Sequence, residues 1–132
     1  MTEENLGTQI SNCNANIQHL QSEKRKCEQC IAKLNPMIRN LDSVYNDTME
    51  ASDDVANGLR VNDRPADNGK IEEVAVEIKT VSKRLNSIII ELGNAKNRYA
   101  REIAEQQAML SQYTFERNKI IQERVANVKA NL

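Results

Sequence analysis

The chain is poor in the residues that usually build a globular core. Its 132 residues include no tryptophan, one phenylalanine and three tyrosines, so aromatic residues make up only 3% of the sequence. Hydrophobic residues make up 39%, which is below the share of a typical globular domain. The apolar side chains must therefore be buried along narrow stripes rather than inside a compact globule.

Several functional classes lack their characteristic residues. With one histidine and four glycines, the sequence offers neither a phosphate-binding glycine loop nor a histidine-based catalytic set, so we expect no enzyme, no catalytic residues and no cofactor. The net charge of -1 comes without a basic patch, which argues against nucleic acid as a partner. The longest apolar run, Ile88-Ile89-Ile90, is too short for membrane insertion.

The first residues also bear on location. Met1 to Asn5 are polar and acidic, whereas a secretory signal begins with basic and then apolar residues. Three cysteines, an odd number, suit a reducing compartment better than a disulfide framework. We therefore expect a cytoplasmic protein, or one that is secreted without a cleavable signal peptide.

Cys27 and Cys30 have the spacing of a zinc or redox motif. A structural zinc needs four ligands, and the sequence provides no second cysteine pair and only His19 as histidine. We therefore expect no metal site, and we interpret Cys13 and Cys27 as small apolar residues of a helix interface. His19 is expected on a solvated helix flank.

A heptad pattern dominates the first half of the chain. Apolar residues recur at alternating steps of four and three, which is typical of a coiled-coil seam, and only Lys24 interrupts them before the pattern thins towards its end. The seam residues are Leu6, Ile10, Cys13, Ile17, Leu20, Cys27, Ile31, Leu34, Ile38, Leu41, Tyr45, Thr48, Ser52, Val55 and Leu59.

The ends of this helix can also be predicted. We expect helix 1 over about residues 3–57, with a kink or short break near Pro36, because proline removes a backbone donor and clashes with the preceding turn. Glycine, asparagine and aspartate cluster over residues 58–69, where the chain should reverse. Gly58 is expected to terminate helix 1, and Asp63 or Asp67 to cap helix 2, which should cover about residues 70–130.

Helix 2 carries a second seam, and its phase is expected to slip beyond Tyr99, where Glu102 and Gln106 fall on seam positions. The predicted seam is Ile71, Val74, Ile78, Val81, Leu85, Ile88, Leu92, Ala95 and Tyr99, followed out of phase by Ile103, Leu110, Ile121, Val125, Val128 and Leu132. The sequence therefore predicts an all-α fold consisting of one long antiparallel two-helix coiled-coil hairpin over residues 1–132.

The hairpin also predicts which residues face each other. A reversal near Val61 to Arg64 implies that facing residues have numbers summing to roughly 124 to 128. Lys24 then lies opposite Glu102 and Gln106, and we interpret these three residues as a polar layer that fixes the register. The open end of the hairpin, where this layer lies, is expected to splay or to admit a partner.

Some apolar residues remain outside the two seams. A pair of helices buries one stripe on each helix, so apolar residues beside the seams indicate further packing against other helices. We expect the hairpin to complete a four-helix bundle, either as a homodimer or with the helices of a partner protein. The predicted interface residues are Val76, Ile89, Ile90, Met109, Ile120, Met37 and Val44.

The layout resembles the WXG100-like helical hairpins of type VII secretion, in particular the small coiled-coil proteins that accompany LXG-domain toxins. The resemblance covers the whole chain and lies in its architecture, from the opening Leu6 to Leu20 through a mid-chain turn to a second helix of matching length. It implies a non-enzymatic adaptor or targeting chaperone that binds the helical N-terminal region of a toxin. The Trp-x-Gly turn and the Tyr-x-x-x-Asp/Glu tail of that family are absent, since Asn57-Gly58-Leu59 stands at the turn and Ile103 follows Tyr99 by four residues.

Two other functions remain open at this point. A structural homodimer that serves as a scaffold or spacer would bury the same apolar residues against its own copy. A holdase of the prefoldin type would grip its clients at the tips of the hairpin, and the polar helix ends at Asn5 and Asn131 argue against it.

Overall fold

Two long α-helices make up most of the computed structural model, which describes residues 1–58 and 68–132 and the backbone alone of residues 60–61 and 64–65. Helix α1 is Glu3–Ala56 and helix α2 is Gly69–Ala130. The helices pack against each other as a hairpin, which confirms the predicted all-α fold.

Local hydrogen bonds explain where the helices begin and end. The backbone N–H of Asn5 donates to Oγ1 of Thr2 at 3.1 Å, which caps the first turn of α1. Gly58 has a φ of 102°, a left-handed conformation that ends a helix at low cost for glycine, so its predicted role as terminator is confirmed. The Asn68 carbonyl accepts the first α2 hydrogen bond, from Glu72 N–H at 2.9 Å. The predicted caps Asp63 and Asp67 lie outside the described residues.

A short antiparallel ladder lies between the helices. Strand β1, Arg60–Val61, pairs with strand β2, Arg64–Pro65. Arg60 faces Pro65 and Val61 faces Arg64. With two residues in each strand, the ladder connects α1 to α2 and does not change the fold class.

Pro36 lies inside α1, which runs without interruption from Glu3 to Ala56. The expected short break is therefore not present, while a kink at this point stays a prediction. Leu34 is half-buried and Ile38 is buried on either side of the proline. The heptad register thus continues across Pro36, as the sequence predicted.

The chain divides into two compact units, each containing a segment of both helices. Residues 1–27 and 94–132 form the terminal unit, whose most buried apolar residues are Leu6, Cys13 and Ile103. Residues 28–93 form the turn unit. Its buried residues are Ile38, Val55 and Ala75 together with the hydroxyl side chains of Ser52 and Ser82.

The predicted seam of α1 is confirmed. From Leu6 to Val55, all of its positions are buried or half-buried, including the polar residues Lys24, Thr48 and Ser52. Leu59, the last expected position, lies outside the described residues. One heptad register therefore defines the inner face of α1.

Up to Tyr99, the predicted seam of α2 is wrong at three of its nine positions. Val74, Val81 and Ile88 are exposed, and the residues that follow them are the ones turned inward. The inner face combines one row, Ile71, Ile78, Leu85, Leu92, Tyr99, Gln106 and Tyr113, with a second row, Ala75, Ser82, Ile89, Lys96, Ile103, Leu110 and Arg117.

These two rows also correct the predicted phase slip. Both continue at seven-residue steps on either side of Tyr99, and their positions are buried or half-buried throughout. The apparent slip arose because Val74 looks more like a core residue than Ala75 does. Small residues such as Ala75 and Ser82 suit a seam because they let two helices approach closely.

Side-chain contacts between the helices lie on the predicted register. Ser82 Oγ donates to Asp42 Oδ1 at 3.1 Å, and Lys79 Nζ lies 5.0 Å from the centroid of the Tyr45 ring. In the terminal unit, Arg124 forms an ion pair with Glu3. The expectation of splaying at the open end is not supported, because Leu6 has no exposed surface there.

Candidate functional site

Seven exposed apolar residues of the turn unit fall into two regular rows. In a heptad labelled a to g, the seam positions are a and d. Each row occupies position g, which immediately precedes position a, as Met37 precedes Ile38 and Val74 precedes Ala75. We call these residues the apolar flank. Its members are Cys30, Met37, Val44 and Ala51 on α1 and Val74, Val81 and Ile88 on α2, and all seven are exposed.

Both rows border the same side of the hairpin. In an antiparallel pair of helices, the two g rows lie on one side of the seam and the two e rows on the other. The grooves of the structure follow this rule, because the g residues Asn16 and Glu102 line one groove of the terminal unit. In the turn unit, the e residues Met49 and Lys79 line another. The apolar flank is therefore one continuous surface made by both helices.

The opposite side of the turn unit is polar. Apart from Met49, the e positions named below carry amides and charges, and two of them contact residues of the other helix: Asp42 bonds to Ser82, and Lys79 lies over Tyr45. The e residues are Asn35, Asp42 and Met49 on α1 and Glu72, Lys79 and Asn86 on α2. This side is therefore mostly polar, although Met49 and Val76 line a groove there.

The exposure of the apolar flank is substantial. The exposed fractions of its five larger side chains range from 42% for Ile88 to 53% for Met37. Single exposed apolar residues are common on proteins, but a contiguous patch bounded by charges is typical of an interaction surface. The equivalent g positions of the terminal unit are mostly polar, namely Gln9, Asn16, Glu23, Ala95, Glu102, Met109 and Glu116.

The structure separates the predicted interface residues into three groups. Met37 and Val44 belong to the apolar flank. Val76, Ile90 and Met109 are exposed but lie outside it. Ile89 and Ile120 are half-buried on the inner face of α2, and their contact with a partner stays a prediction.

The sequence missed three residues of the apolar flank because it placed them in the seam: Val74, Val81 and Ile88. The signal that could have found them lies further along α2. Counting back in steps of seven residues from Ile103 and Leu110 reaches Ile89, Ser82 and Ala75. The residue before each of these three therefore lies outside the seam.

Lys24, Glu102 and Gln106, the predicted polar layer, are all half-buried. Asn16 Nδ2 donates to Gln106 Oε1 at 3.4 Å, so Gln106 does face α1. The pairing of Lys24 with Glu102 stays a prediction. The inner face also includes half-buried Arg117, whose Cζ lies 3.9 Å from where a Cβ on Gly7 would stand.

Replacing both Lys24 and Glu102 with leucine tests the polar layer. A half-buried ion pair adds little net stability, so we expect the thermal midpoint to stay the same or to rise. The register should loosen, because no charge then penalises a slip of one heptad. Thermal unfolding and cysteine cross-linking between facing positions would measure the two effects. An unfolded double variant would contradict the predicted role.

The cysteines and the histidine show no convergent chemistry. All three cysteines are free, with Cys13 buried, Cys27 half-buried and Cys30 exposed. Within the described part of the chain, no three histidine, cysteine or acidic residues stand close enough to hold a metal ion. Lys26 donates to Glu23 at 3.0 Å and thereby lowers the pKa of that carboxyl, an ordinary ion pair on a helix surface.

The class that the fold defines is an all-α helical hairpin with one apolar side. No family model, no curated protein and no solved structure matches the chain. Neither helix of the described structure has a stretch that is long and apolar enough to cross a membrane.

Proposed function

We propose that the protein is a non-enzymatic helical adaptor that binds α-helices of a partner on the apolar flank. The observation that carries this proposal is the contiguous row of exposed apolar residues on one side of the turn unit. Two helices side by side form a shallow groove between them, and a third helix can bury its own apolar stripe there. On the opposite side, the groove between the helices is lined by the charged residues Glu72 and Lys79 as well as by Met49.

The resemblance described above adds one candidate partner, the helical N-terminal region of an LXG toxin, and with it a role in type VII secretion. The apolar flank supports helix binding in general, and the toxin is the finer part of the proposal. A homodimeric scaffold would use the same surface, with a second copy of this chain in place of the partner.

Binding to a helical partner can be measured directly. The purified chain is mixed with the helical N-terminal region of a toxin encoded next to its gene, and complexes are detected by native mass spectrometry and light scattering. We expect a stable complex with the wild-type chain. Replacing Val44 and Val81 with aspartate should abolish the complex, because both carboxylates would be desolvated in the interface.

The matched control is Val76→Asp, since Val76 is exposed on α2, as Val81 is, but lines the groove on the side opposite the apolar flank. This variant should bind as the wild type does. Equal losses in all variants would mean that the apolar flank is not the binding surface. A chain that remains a monomer and binds no helical segment would overturn the proposed function.

A further inference from the structure

Charged residues border the apolar flank along its outer edges. They occupy heptad position c, which lies next to g on the side away from the seam. We call these residues the charged rim. Its members are Lys33, Asn40, Asp47 and Asp54 on α1 and Lys70, Glu77, Arg84 and Glu91 on α2, and all eight are exposed.

The order of charges in the rim has a two-fold pattern. Consider a two-fold axis that lies in the plane of the interface, perpendicular to the helices, and crosses α1 at Val44 and α2 at Val81. This axis would place a second copy face to face with the first. Each helix would then lie antiparallel to the same helix of the other copy. Residues at equal distances on either side of the axis would face each other across the interface, which is the geometry of an isologous dimer.

Under this symmetry, the rim is complementary to itself. Every charged rim residue except Asp47 faces one of opposite charge in the second copy, and Asp47 faces Asn40, so no like charges meet. The pairs across the copies are Lys33 with Asp54, Asn40 with Asp47, Lys70 with Glu91, and Glu77 with Arg84. Complementary charges at a rim fix the orientation of the partners.

The apolar residues fit the same axis by size. Met37 would face Ala51 of the second copy, and Ile88 would face Val74, so that a longer side chain meets a shorter one. Val44 and Val81 lie nearest the axis and would face their own equivalents. Alternation of large and small residues across an interface is the arrangement that fills space without strain.

A two-fold axis parallel to the helices fits less well. It would place α1 of one copy on α2 of the other, so that Asp47 faces Glu77 and Met37 faces Ile88. The first of these contacts joins like charges, and the second joins the two largest side chains of the flank. The perpendicular axis avoids both contacts.

The available area is enough for a dimer. From Cys30 to Ala51 the flank extends about 30 Å along α1, at 1.5 Å per residue. Two helices packed side by side are about 20 Å wide, so each copy would contribute roughly 600 Å². The total of about 1,200 Å² reaches the lower limit of stable protein interfaces.

We infer that the apolar flank binds a second copy of this chain. The turn units of the two copies then form an antiparallel four-helix bundle whose two-fold axis crosses α1 at Val44 and α2 at Val81. This inference rests on the proposed function, because it identifies the helices of a second copy as those that bind the apolar flank. A separate helical partner would then compete with the second copy for that surface.

Sedimentation velocity of the full chain over a wide range of concentrations tests the dimer. We expect a reversible monomer–dimer equilibrium for the wild type. Val44→Asp should weaken it at least about a hundredfold, because two carboxylates meet near the axis. Val76→Asp, the matched control outside the flank, should leave it unchanged. Far-UV circular dichroism of dilute samples should show equal helicity in all three proteins.

Charge reversal tests the axis. Glu77→Arg places two arginines opposite each other at two symmetric points, and Arg84→Glu does the same with carboxylates. Each single variant should weaken the dimer about tenfold. The variant that carries both changes restores opposite charges and should return to within about twofold of the wild type. If both changes together weaken the dimer more than either alone, this axis is wrong.

Two results separate the inference from the proposed function. A wild-type chain that is a monomer at every soluble concentration overturns the self-association. If that monomer still binds a helical toxin segment through Val44 and Val81, the adaptor function stands and its partner is a different protein. If it binds neither, both proposals fail.

Discussion

Replacing Ala75 with aspartate should strongly destabilise the hairpin, whereas the same change at the neighbouring Val74 should have little effect. Ala75 is 2% exposed on the inner face of α2, and Val74 is 48% exposed. An unpaired carboxylate at position 75 would be removed from water against α1, at a cost of about 3–5 kcal/mol. At position 74 the carboxylate stays hydrated, and surface substitutions cost about 0.5 kcal/mol or less.

Urea titrations followed by far-UV circular dichroism measure the difference. The samples should be dilute, so that any self-association adds nothing to the apparent stability of the wild type. The comparison is sharp because the two residues are adjacent and receive the same side chain. If Val74→Asp were the more destabilising change, Val74 rather than Ala75 would lie on the inner face of α2, as the sequence first predicted.

The seam of α1 was predictable because most of its heptads carry apolar residues at both seam positions. Alternating steps of four and three from Leu6 to Val55 admit one register, and a single charge at Lys24 does not offset it. The antiparallel pairing followed from the position of the turn. Contacts such as Asp42 with Ser82 therefore fell on the expected register.

The seam of α2 was harder to predict, because three adjacent residues compete for the inner face. Ile88, Ile89 and Ile90 are equally apolar, so hydrophobicity does not distinguish them, and only Ile89 is turned inward. At Val74 and Ala75, hydrophobicity favours the wrong residue. Which residue of α2 faces inward is decided by how closely α1 approaches α2 at that point, and this distance depends on the side chains of both helices.

The error in the seam also concealed the candidate site. As long as Val74, Val81 and Ile88 were assigned to the inside, the interface expected on α2 consisted of other residues, such as Val76 and Ile90. With these three residues exposed, the g rows of both helices form one surface. A correction of one residue in register therefore changes which side of the hairpin is expected to bind a partner.

Leu6→Ala should be the most destabilising truncation of an apolar side chain in the terminal unit. Leu6 has no exposed surface, so the substitution removes buried methyl groups and leaves a cavity. Buried leucine-to-alanine changes cost about 2–5 kcal/mol. We expect a loss of about 3 kcal/mol, because a cavity between two helices collapses in part. Ile90→Ala is the control, since Ile90 is 63% exposed.

Hydrogen exchange shows where this stability is lost. The terminal and turn units each have buried residues of their own, Leu6, Cys13 and Ile103 in one and Ile38, Val55 and Ala75 in the other. Regions with separate cores open separately. Leu6→Ala should therefore accelerate exchange over residues 1–27 and 94–132 and leave residues 28–93 protected. Uniform acceleration along both helices would instead show that the hairpin unfolds as one cooperative unit, and the apolar flank could then not remain folded when the terminal unit opens.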